Sequence, residues 1–334
     1  MRLGLMFQED YSAPGRLDEQ LEVIRAADDL GYEMVGVGET WGLSALPWLA
    51  VVARETKQIQ LATAIINNYS RSPAAVAQEF AALDVISGGR MVLGLGSSAT
   101  AVIEGFHGVP FGRPLTRLRE SVEIFKMLIH GERLMYEGKE FQLTRGFTLD
   151  YVRPRTDIPV YIAAITPKSI RQTGEIADGL IPIHWPKARF HELRADLGTY
   201  AAEAGRPAGA VTIAPHVSVW ITDGSNDADQ WHAAKEHLSH YTNRMGDFYW
   251  QMFERFGYEE EVTASRAAFA QRDRAGAIHA ISERMVRDID VIGPLESVRE
   301  QLQERSALGA ELQLLKKLPS EPGEATRVLE ALIR

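Results

Sequence analysis

The stretch LATAIINNYSRSPAAVAQEFAALDVISGGRMVLGLGSS, residues 61–98, carries the pattern that decides the fold. Its first six residues are apolar and rich in β-branched side chains, which predicts a buried parallel strand over 61–66. Pro73 then opens a segment with apolar residues at helical spacing, and the glycine pair 88–89 ends it. Residues 91–95 predict the next buried strand. This order of strand, helix and strand is typical of a parallel sheet with crossover helices.

The second of these strands runs into Gly96, Ser97 and Ser98. Small residues at a strand end leave backbone N–H groups free to meet a phosphate or another planar ligand. The polar loop after residue 66 ends the neighbouring strand on the same side. We therefore expect ligand-binding loops at this edge, with helix N-capping as the alternative role of the two serines.

Length and composition limit the classes of protein that the sequence can encode. The chain has 334 residues, 45% hydrophobic and 24% charged, which is enough for a large α/β core. A net charge of −9 argues against a nucleic-acid-binding face and against binding to anionic membranes. The absence of cysteine excludes disulfides, thiolate metal sites and cysteine nucleophiles. The N-terminal run MRLGLMF is too short for a signal peptide and no stretch reaches membrane-spanning length, so we expect a cytoplasmic protein.

The alternation of strands and helices continues along most of the chain. Eight strands and eight helices in sequence predict a (β/α)8 TIM barrel, formed as a single domain over residues 1–334. A doubly wound α/β protein of two domains is the alternative. The predicted strands cover residues 2–7, 34–37, 61–66, 91–95, 160–164, 179–183, 211–221 and 311–315. The predicted helices cover residues 17–31, 46–55, 74–87, 115–130, 167–177, 190–204, 298–308 and 324–333.

Four shorter segments depart from the alternation. Residues 8–15 predict a polar turn, and residues 133–147 predict a β-hairpin. Residues 99–114 are rich in Gly and Pro and predict an ordered loop over the barrel mouth. Residues 292–294, Ile-Gly-Pro, predict either a phosphate-loop-like turn or the start of a helix.

A long segment, residues 226–290, contains no clear strand and predicts a helical insertion. Its aromatic stripe includes Tyr241, Tyr249 and Phe253. We expect the insertion either to pack on the barrel or a partner subunit, or to form a lid over the substrate.

Functional side chains of such a barrel lie at the C-terminal ends of its strands. Here those ends carry small residues, amides, hydroxyls and aromatic rings, a set that suits a large planar cofactor that performs the chemistry itself. Glu39 is either a general acid or base, a contact to a cofactor hydroxyl, or a strand-end carboxylate in an ion pair. Trp41 either stacks on a ligand or packs beneath its loop. His107 is either catalytic or structural.

Other motifs give weaker signals. His184 lies at a predicted strand end, but a single histidine is a weak indication. His237 and His240 are one helical turn apart, yet no third ligand is near them in the sequence, so no metal site is predicted. The chain contains no HExxH, GxSxG or Walker A motif, and GLGSS is too short for a dinucleotide fingerprint.

Several stretches together resemble one family. The run SRSPAAVAQEFAALDVISGGRMVLGLGSS resembles the block that spans strands three to four in the luciferase-like monooxygenase superfamily. Other stretches resemble its deazaflavin branch, which is related to methylenetetrahydromethanopterin reductase, and the resemblance covers most of the chain except about residues 222–285. These stretches are GETWG, EGFHGVPFGRPLTRLRESVEIFKMLIHGE, YEGKEFQL, PVYIAAITPKSIRQTGEIADGLI and IGPLESVREQL.

The resemblance implies a luciferase-like barrel that binds a flavin or the 5-deazaflavin coenzyme F420 at the strand C-termini. It implies a non-prolyl cis peptide in strand three, at Ala64–Ile65, and a phosphate-binding loop at Gly96–Ser98. Several relatives carry Asp-His at the second strand end where this chain has Glu39-Thr40, which leaves the proton-handling role of Glu39 open. The expected cofactor-binding residues are Glu39, Ala64, Ile65, Asn67, Gly96, Ser97, Ser98, Ala163, Ala164, His184 and Trp185, and the expected catalytic residues are Glu39, Trp41 and His107.

The function that the resemblance implies is hydride transfer between coenzyme F420 and a small organic substrate, because a deazaflavin carries hydride and activates oxygen poorly. Trp41 would shape the pocket, and Glu39 or His107 would assist proton transfer. One alternative is an FMN-dependent monooxygenase that uses reduced flavin and oxygen. Another is a flavin- or deazaflavin-binding protein without turnover. The resemblance also implies a homodimer or higher homo-oligomer, and we expect no nucleic-acid or membrane partner.

Overall fold

A computed structural model describes residues 1–7 and 15–334. Its central feature is a sheet whose main strands follow one another in chain order. Two strands, β6 and β7, form a separate two-stranded sheet. The strands of the chain are β1 (Arg2–Phe7), β2 (Met34–Val37), β3 (Gln60–Thr63), β4 (Ile66–Asn67), β5 (Met91–Gly96), β6 (Leu134–Glu137), β7 (Gln142–Phe147), β8 (Val160–Ile162), β9 (Gly179–Leu180), β10 (Thr212–Ile213), β11 (His216–Ile221), β12 (Val291–Gly293) and β13 (Leu312–Lys316).

The sheet closes through β10 and β11, which follow each other with only two residues between them. β10 pairs with β9, and a bridge between Ile183 and His216 continues this contact. β11 pairs with β13 through residues 216–218, and β13 pairs with β1. All of these pairs are parallel. The predicted (β/α)8 barrel is therefore confirmed.

Helices surround the barrel and also form the predicted insertion between β11 and β12. Within the described residues, no helix is both long enough and apolar enough to cross a bilayer. The helices are α1 (Arg16–Leu30), α2 (Ala45–Glu55), α3 (Pro73–Ser87), α4 (Thr100–Gly105), α5 (Pro114–His130), α6 (Pro167–Ile176), α7 (Phe190–Glu203), α8 (Asp227–Arg244), α9 (Asp247–Arg255), α10 (Glu259–Ala270), α11 (Arg274–His279), α12 (Glu283–Ile289), α13 (Leu295–Leu308) and α14 (Pro322–Ile333).

Local sequence signals explain where α3 begins and ends. The Ser72 hydroxyl accepts the backbone N–H of Ala75, and Pro73 occupies the first turn, where no N–H is needed. Gly88 ends the helix in the left-handed region, with φ of 71°. A residue without Cβ adopts that conformation at little cost. The predicted bounds of this helix are confirmed.

A buried carboxylate connects α1 to the start of β3. Asp28 is 4% exposed, and its oxygens accept the backbone N–H groups of Lys57, Gln58 and Ile59 at 2.7, 2.9 and 2.7 Å. Burial raises the pKa of Asp28, but these three hydrogen bonds outweigh it and leave the pKa below its usual value. The carboxylate therefore stays ionised and holds the turn before β3.

The structure corrects three of the predicted elements. The strand predicted over 211–221 is divided into β10 and β11 at residues 214–215. The strand predicted over 61–66 is interrupted at residues 64–65, which separate β3 from β4. Of the two alternatives for residues 292–294 the helix start is confirmed, because Pro294 is the N-cap of α13 and the residues before it pair with β11 as β12. The loop predicted over 99–114 contains the short helix α4. The hairpin is confirmed as β6 and β7, whereas the polar turn over 8–15 lies, apart from its last residue, outside the described residues.

Apolar side chains fill the lower part of the barrel interior. Towards the C-terminal ends of the strands, the residues that point into the barrel are glycines and alanines on β2 to β5 and polar residues on β11 and β13. The interior layer consists of Met34, Ala62, Val92, Tyr161, Ile181, Ala214, Leu312 and Leu314, with Met6 and Ile65 packed against it.

Candidate functional site

Glycines let the barrel strands approach the segment between β3 and β4 very closely. A Cβ on Gly94 would lie 1.8 Å from the carbonyl oxygen of Thr63, and a Cβ on Gly36 would lie 2.7 Å from the Cβ of Ala64. The peptide bond between Ala64 and Ile65 is cis, as the resemblance implies. No other residue type fits at Gly94 without displacement of backbone. This half of the barrel mouth is therefore lined by backbone and small side chains.

Gly96, Ile65 and Ala163 meet on the same surface. A Cβ on Gly96 would lie 2.8 Å from the Cδ1 of Ile65 and 3.5 Å from the Cβ of Ala163. The structure thus brings together three of the residues predicted to bind a cofactor. Ala164 instead lies in the core between the barrel and its helices, 5% exposed. Its predicted contact with a cofactor stays a prediction.

The loop after β4 is held by Asn67, another predicted residue. The Asn67 Oδ1 accepts the backbone N–H groups of Tyr69 and Ser70 at 3.0 and 2.8 Å. Its Nδ2 lies 3.2 Å from the Nε2 of His107. Since an amide nitrogen donates, His107 accepts through Nε2 and carries its proton on Nδ1 when neutral. Asn67 therefore joins the loop after β4 to the loop after β5.

Ser97 and Ser98 extend from the end of β5 into the loop before α4. Ser98 is exposed and has φ of 58°, in the left-handed region. Neither hydroxyl caps α4, whose N-cap residue is Ala99 without a side-chain hydrogen bond. The alternative role of helix capping is therefore wrong. Their predicted contact with a phosphate stays a prediction.

Glu39 forms a largely buried ion pair with Arg71. The Glu39 oxygens lie 2.7 and 3.1 Å from the guanidinium nitrogens, and Oε2 also accepts the backbone N–H of Ala45 at 3.0 Å. Burial raises the pKa of Glu39, but the hydrogen bonds and charge of Arg71 outweigh it and lower the pKa overall. A carboxylate held ionised in this way is a poor proton donor. The geometry favours the ion-pair interpretation, and the catalytic role of Glu39 stays a prediction.

Trp41 lies in the loop before α2 and is 58% exposed. In the part of the chain that the structure describes, no aromatic ring stacks on it. Because it is exposed, the interpretation that Trp41 packs beneath its loop is wrong. Its role in shaping a substrate pocket stays a prediction.

The opposite half of the barrel mouth is built around His184. This residue follows β9 with φ of 54° and is 2% exposed. Its ring centroid lies 4.2 Å from that of Tyr241, 5.2 Å from His237 and 6.0 Å from Phe253. The aromatic stripe of the insertion therefore packs on the barrel mouth, the first of the arrangements that the sequence left open. Trp185 is buried beside it against Phe256, at a centroid distance of 4.7 Å.

A lysine at the end of β13 is the main residue that sequence reasoning missed. The Nζ of Lys316 lies 3.3 Å from the Nε2 of His237 and 5.8 Å above the ring of Tyr241. Strand pairing places Lys316 beside Ser218 on β11. The Nε2 atoms of His184 and His216 are buried and have no hydrogen-bond partner among the described residues. A lysine at the end of the last strand was the signal in the sequence, but its neighbours come from distant segments.

Burial determines the protonation of this cluster. It lowers the pKa of His237 to about 2 and that of His216 to about 3, and the charge of Lys316 adds to both effects. It also lowers the pKa of His184. Burial lowers the pKa of Lys316 to about 8, against the opposing charge of Asp290. At neutral pH the imidazoles are therefore neutral and the ammonium is mostly protonated.

The sequence matches the family model of luciferase-like monooxygenases over residues 1–312, almost the whole chain. The chain belongs to this family.

Two luciferase-like relatives match nearly end to end. The chain is 30% identical to a candidate coenzyme F420-dependent oxidoreductase of Mycobacterium tuberculosis, a match that covers 100% of this chain and 99% of the relative. It is 27% identical to the 5,10-methylenetetrahydromethanopterin reductase of Archaeoglobus fulgidus, covering 92% and 91%. The solved structure of the coenzyme F420 dependent tetrahydromethanopterin reductase from Methanopyrus kandleri matches with a TM-score of 0.83 at 23% identity, covering 100% and 97%. This last likeness shows the fold.

Proposed function

We propose that this luciferase-like protein is an oxidoreductase that transfers a hydride between coenzyme F420 and a small organic substrate. The observation that carries the proposal is the glycine-lined half of the barrel mouth, at Gly36, Gly94 and Gly96. The F420-dependent activity in the name of the Mycobacterium tuberculosis relative supports the choice of a deazaflavin. FMN is the alternative cofactor.

The residues present fit a planar tricyclic group. Gly36, Gly94 and Gly96 let residues 63–65 pack directly against the neighbouring strands, so this half of the mouth presents backbone and small side chains. Across the mouth, the buried Nε2 of His184 lacks a partner within the described chain. A heteroaromatic ligand with polar edges supplies both an apolar face and a partner for such an atom.

Ile65, Gly96 and Ala163 would contact the ring, and the backbone at Ser97 and Ser98 would meet the phosphate of the coenzyme side chain. When bound, a 5-deazaflavin supplies a carbon that accepts or donates hydride. The protein supplies orientation and a site that excludes bulk water. Asn67 keeps the two phosphate-side loops together through its contact with His107.

Proton handling falls to His107 in this proposal, because Glu39 is already paired with Arg71. His107 is half-buried at the mouth, and its Nε2, which accepts from Asn67, is the atom that takes up a proton in exchange for that contact. A histidine in this position can take up or release the proton that accompanies hydride transfer to an oxygen-bearing carbon. The Glu39–Arg71 pair holds the loops on which Trp41 and Ser70 lie.

Equilibrium titration of the purified protein with each cofactor tests the proposal. We expect F420 to quench or shift its own fluorescence on binding, with an affinity at least tenfold above that of FMN. Tight binding of FMN without binding of F420 would replace the proposal by a flavin-dependent monooxygenase. Binding of F420 with no hydride transfer to any alcohol, pterin or sugar phosphate would indicate a carrier without turnover.

Assembly and location belong to the same proposal. We propose a homodimer or higher homo-oligomer in the cytoplasm, and sedimentation of the purified protein together with cell fractionation tests both statements. A monomer at micromolar concentration would contradict the first.

A further inference from the structure

We propose that Lys316, positioned by His237, binds an anionic group of the substrate, either a carboxylate or a phosphate ester. The inference rests on the proposed function and adds the class of substrate. It is carried by the position of the ammonium, by its partners and by the unpaired polar atom near it.

The ammonium of Lys316 has hydrogen-bonding capacity to spare. It carries three N–H donors, and one of them meets the Nε2 of His237 at 3.3 Å. The neutral imidazole accepts this bond through Nε2 and contributes no negative charge. Since Lys316 is half-buried, a small ligand can still reach the remaining donors.

No negative group among the described residues neutralises Lys316 directly. Within residues 1–7 and 15–334 it takes part in no ion pair. Asp290 acts on it only at longer range, and the Asp290 carboxylate is buried and accepts the indole N–H of Trp220 at 2.9 Å. The other groups that face Lys316 are Tyr241 on α8, His184 after β9, His216 on β11 and the neighbouring Lys317. A half-buried cation without a counter-ion in the described chain favours an anionic ligand.

One further atom is available to the same ligand. The Nε2 atom of His216 is buried and unpartnered in the described chain. A buried polar atom that lacks a partner costs stability unless a ligand or water supplies one. The imidazole is neutral, so it can donate from Nε2 to a ligand oxygen. One charged and one neutral donor suit an oxyanion.

The position of Lys316 assigns this anion to the substrate rather than to the coenzyme. Lys316 is at the end of β13, and Gly96 is at the end of β5. In the closed barrel, β1, β2 and β3 lie between these two strands on one side. On the other side, β8, β9 and the β10–β11 strand lie between them. Lys316 therefore lies across the mouth from Gly96–Ser98, the proposed phosphate-binding loop of the coenzyme.

Anion binding to the coenzyme-free protein tests the inference. Inorganic phosphate and acetate serve as the two probes, measured by isothermal titration calorimetry. The variants are Lys316→Met, Lys316→Arg and, as matched control, Lys317→Met. Lys317 is exposed and adjacent, so its replacement removes the same charge from outside the cluster. Thermal unfolding confirms that each variant is folded.

We expect Lys316→Met to weaken binding of the preferred probe about 10- to 100-fold, since a hydrogen-bonded charge is lost. Lys316→Arg retains most of the affinity, and Lys317→Met binds as the wild type does. The stronger of the two probes identifies the group as phosphate or carboxylate. Acetate, which keeps its charge, binds with constant affinity below pH 8 and more weakly above it, because the ammonium loses its proton there.

A parallel titration of each protein with F420 separates the possible failures. The inference requires that Lys316→Met bind F420 as tightly as the wild type. A joint loss of F420 and phosphate binding would assign the anion to the coenzyme and overturn the substrate assignment. Wild-type protein that binds F420 but neither probe would overturn the anion subsite and leave the proposed function intact. Anion binding at Lys316 without F420 binding would overturn the proposed function instead.

Discussion

Replacement of Gly96 by alanine adds one methyl group to the surface on which the coenzyme ring is proposed to lie. The new Cβ would stand 2.8 Å from the Cδ1 and 3.3 Å from the Cγ1 of Ile65. Carbon atoms in contact are about 3.5–4.0 Å apart, so Ile65 has to move by roughly 1 Å. The clash involves the end of a flexible side chain rather than backbone. The protein therefore folds, but Ile65 and the methyl group narrow the site.

The expected loss of stability is smaller than the expected loss of affinity for F420. An off-rotamer isoleucine costs about 0.5–1.5 kcal/mol, which sets the loss in the free energy of unfolding. One additional methyl group in a fitted pocket costs about 1–3 kcal/mol of ligand binding, or a factor of about 10–200. Gly96→Ala should therefore lose at least tenfold in affinity for F420 while it loses only about 1 kcal/mol in stability.

Fluorescence titration with F420 and urea unfolding of the same preparations measure both quantities. Gly209→Ala is the matched control, because a Cβ at Gly209 meets no atom within 4 Å and lies away from the mouth. If Gly96→Ala binds F420 as tightly as Gly209→Ala does, the coenzyme does not lie over Gly96 and the reasoning is refuted.

Three further predictions concern the scaffold of the site. Gly94→Ala should cost more than about 3 kcal/mol of unfolding free energy, because its Cβ would lie 1.8 Å from the backbone oxygen of Thr63; unchanged urea unfolding would contradict the close strand approach. Asp28→Asn should cost about 1–3 kcal/mol at pH 7. Since the pKa of Asp28 is lowered, this stabilisation is present above pH 4 and is lost as the pH falls through the folded-state pKa. The unfolding free energies of wild type and variant should therefore become equal in acid. A difference that persists there would show that the stabilisation does not come from the ionised carboxylate. Glu39→Gln should lose about 1–3 kcal/mol of stability because Arg71 loses its partner, and it should keep measurable turnover; full stability with abolished turnover would show that Glu39 transfers the proton.

Periodicity along the sequence predicted most of the fold, because each barrel strand is a short apolar run between amphipathic helices. It failed where pairing rather than composition defines the element. β12 has only three residues, and it is a strand because β11 extends beyond its barrel neighbours and offers free backbone groups. The interruption of the strand at residues 64–65 leaves no trace in hydrophobicity. Only the resemblance to a family pointed to that position.

The two halves of the candidate site differed in how far the sequence predicted them. The glycine-lined half lies within residues 36–98, so a local motif contained most of its residues. The polar half combines His184, His216, His237 and Lys316 from four segments that meet only after the barrel closes. The sequence predicted the helical stripe that contains Tyr241 but not the strand end on which it packs. A single lysine after an apolar strand carries no local indication that it is buried.

The most direct test of the central claim is a crystal structure of the protein with bound F420. We expect the deazaflavin ring to lie against Ala64–Ile65 and Gly96, with the phosphate of the coenzyme at Ser97 and Ser98 and with Lys316 left free on the opposite side. A coenzyme bound elsewhere, or the phosphate of the coenzyme bound to Lys316, would contradict this claim.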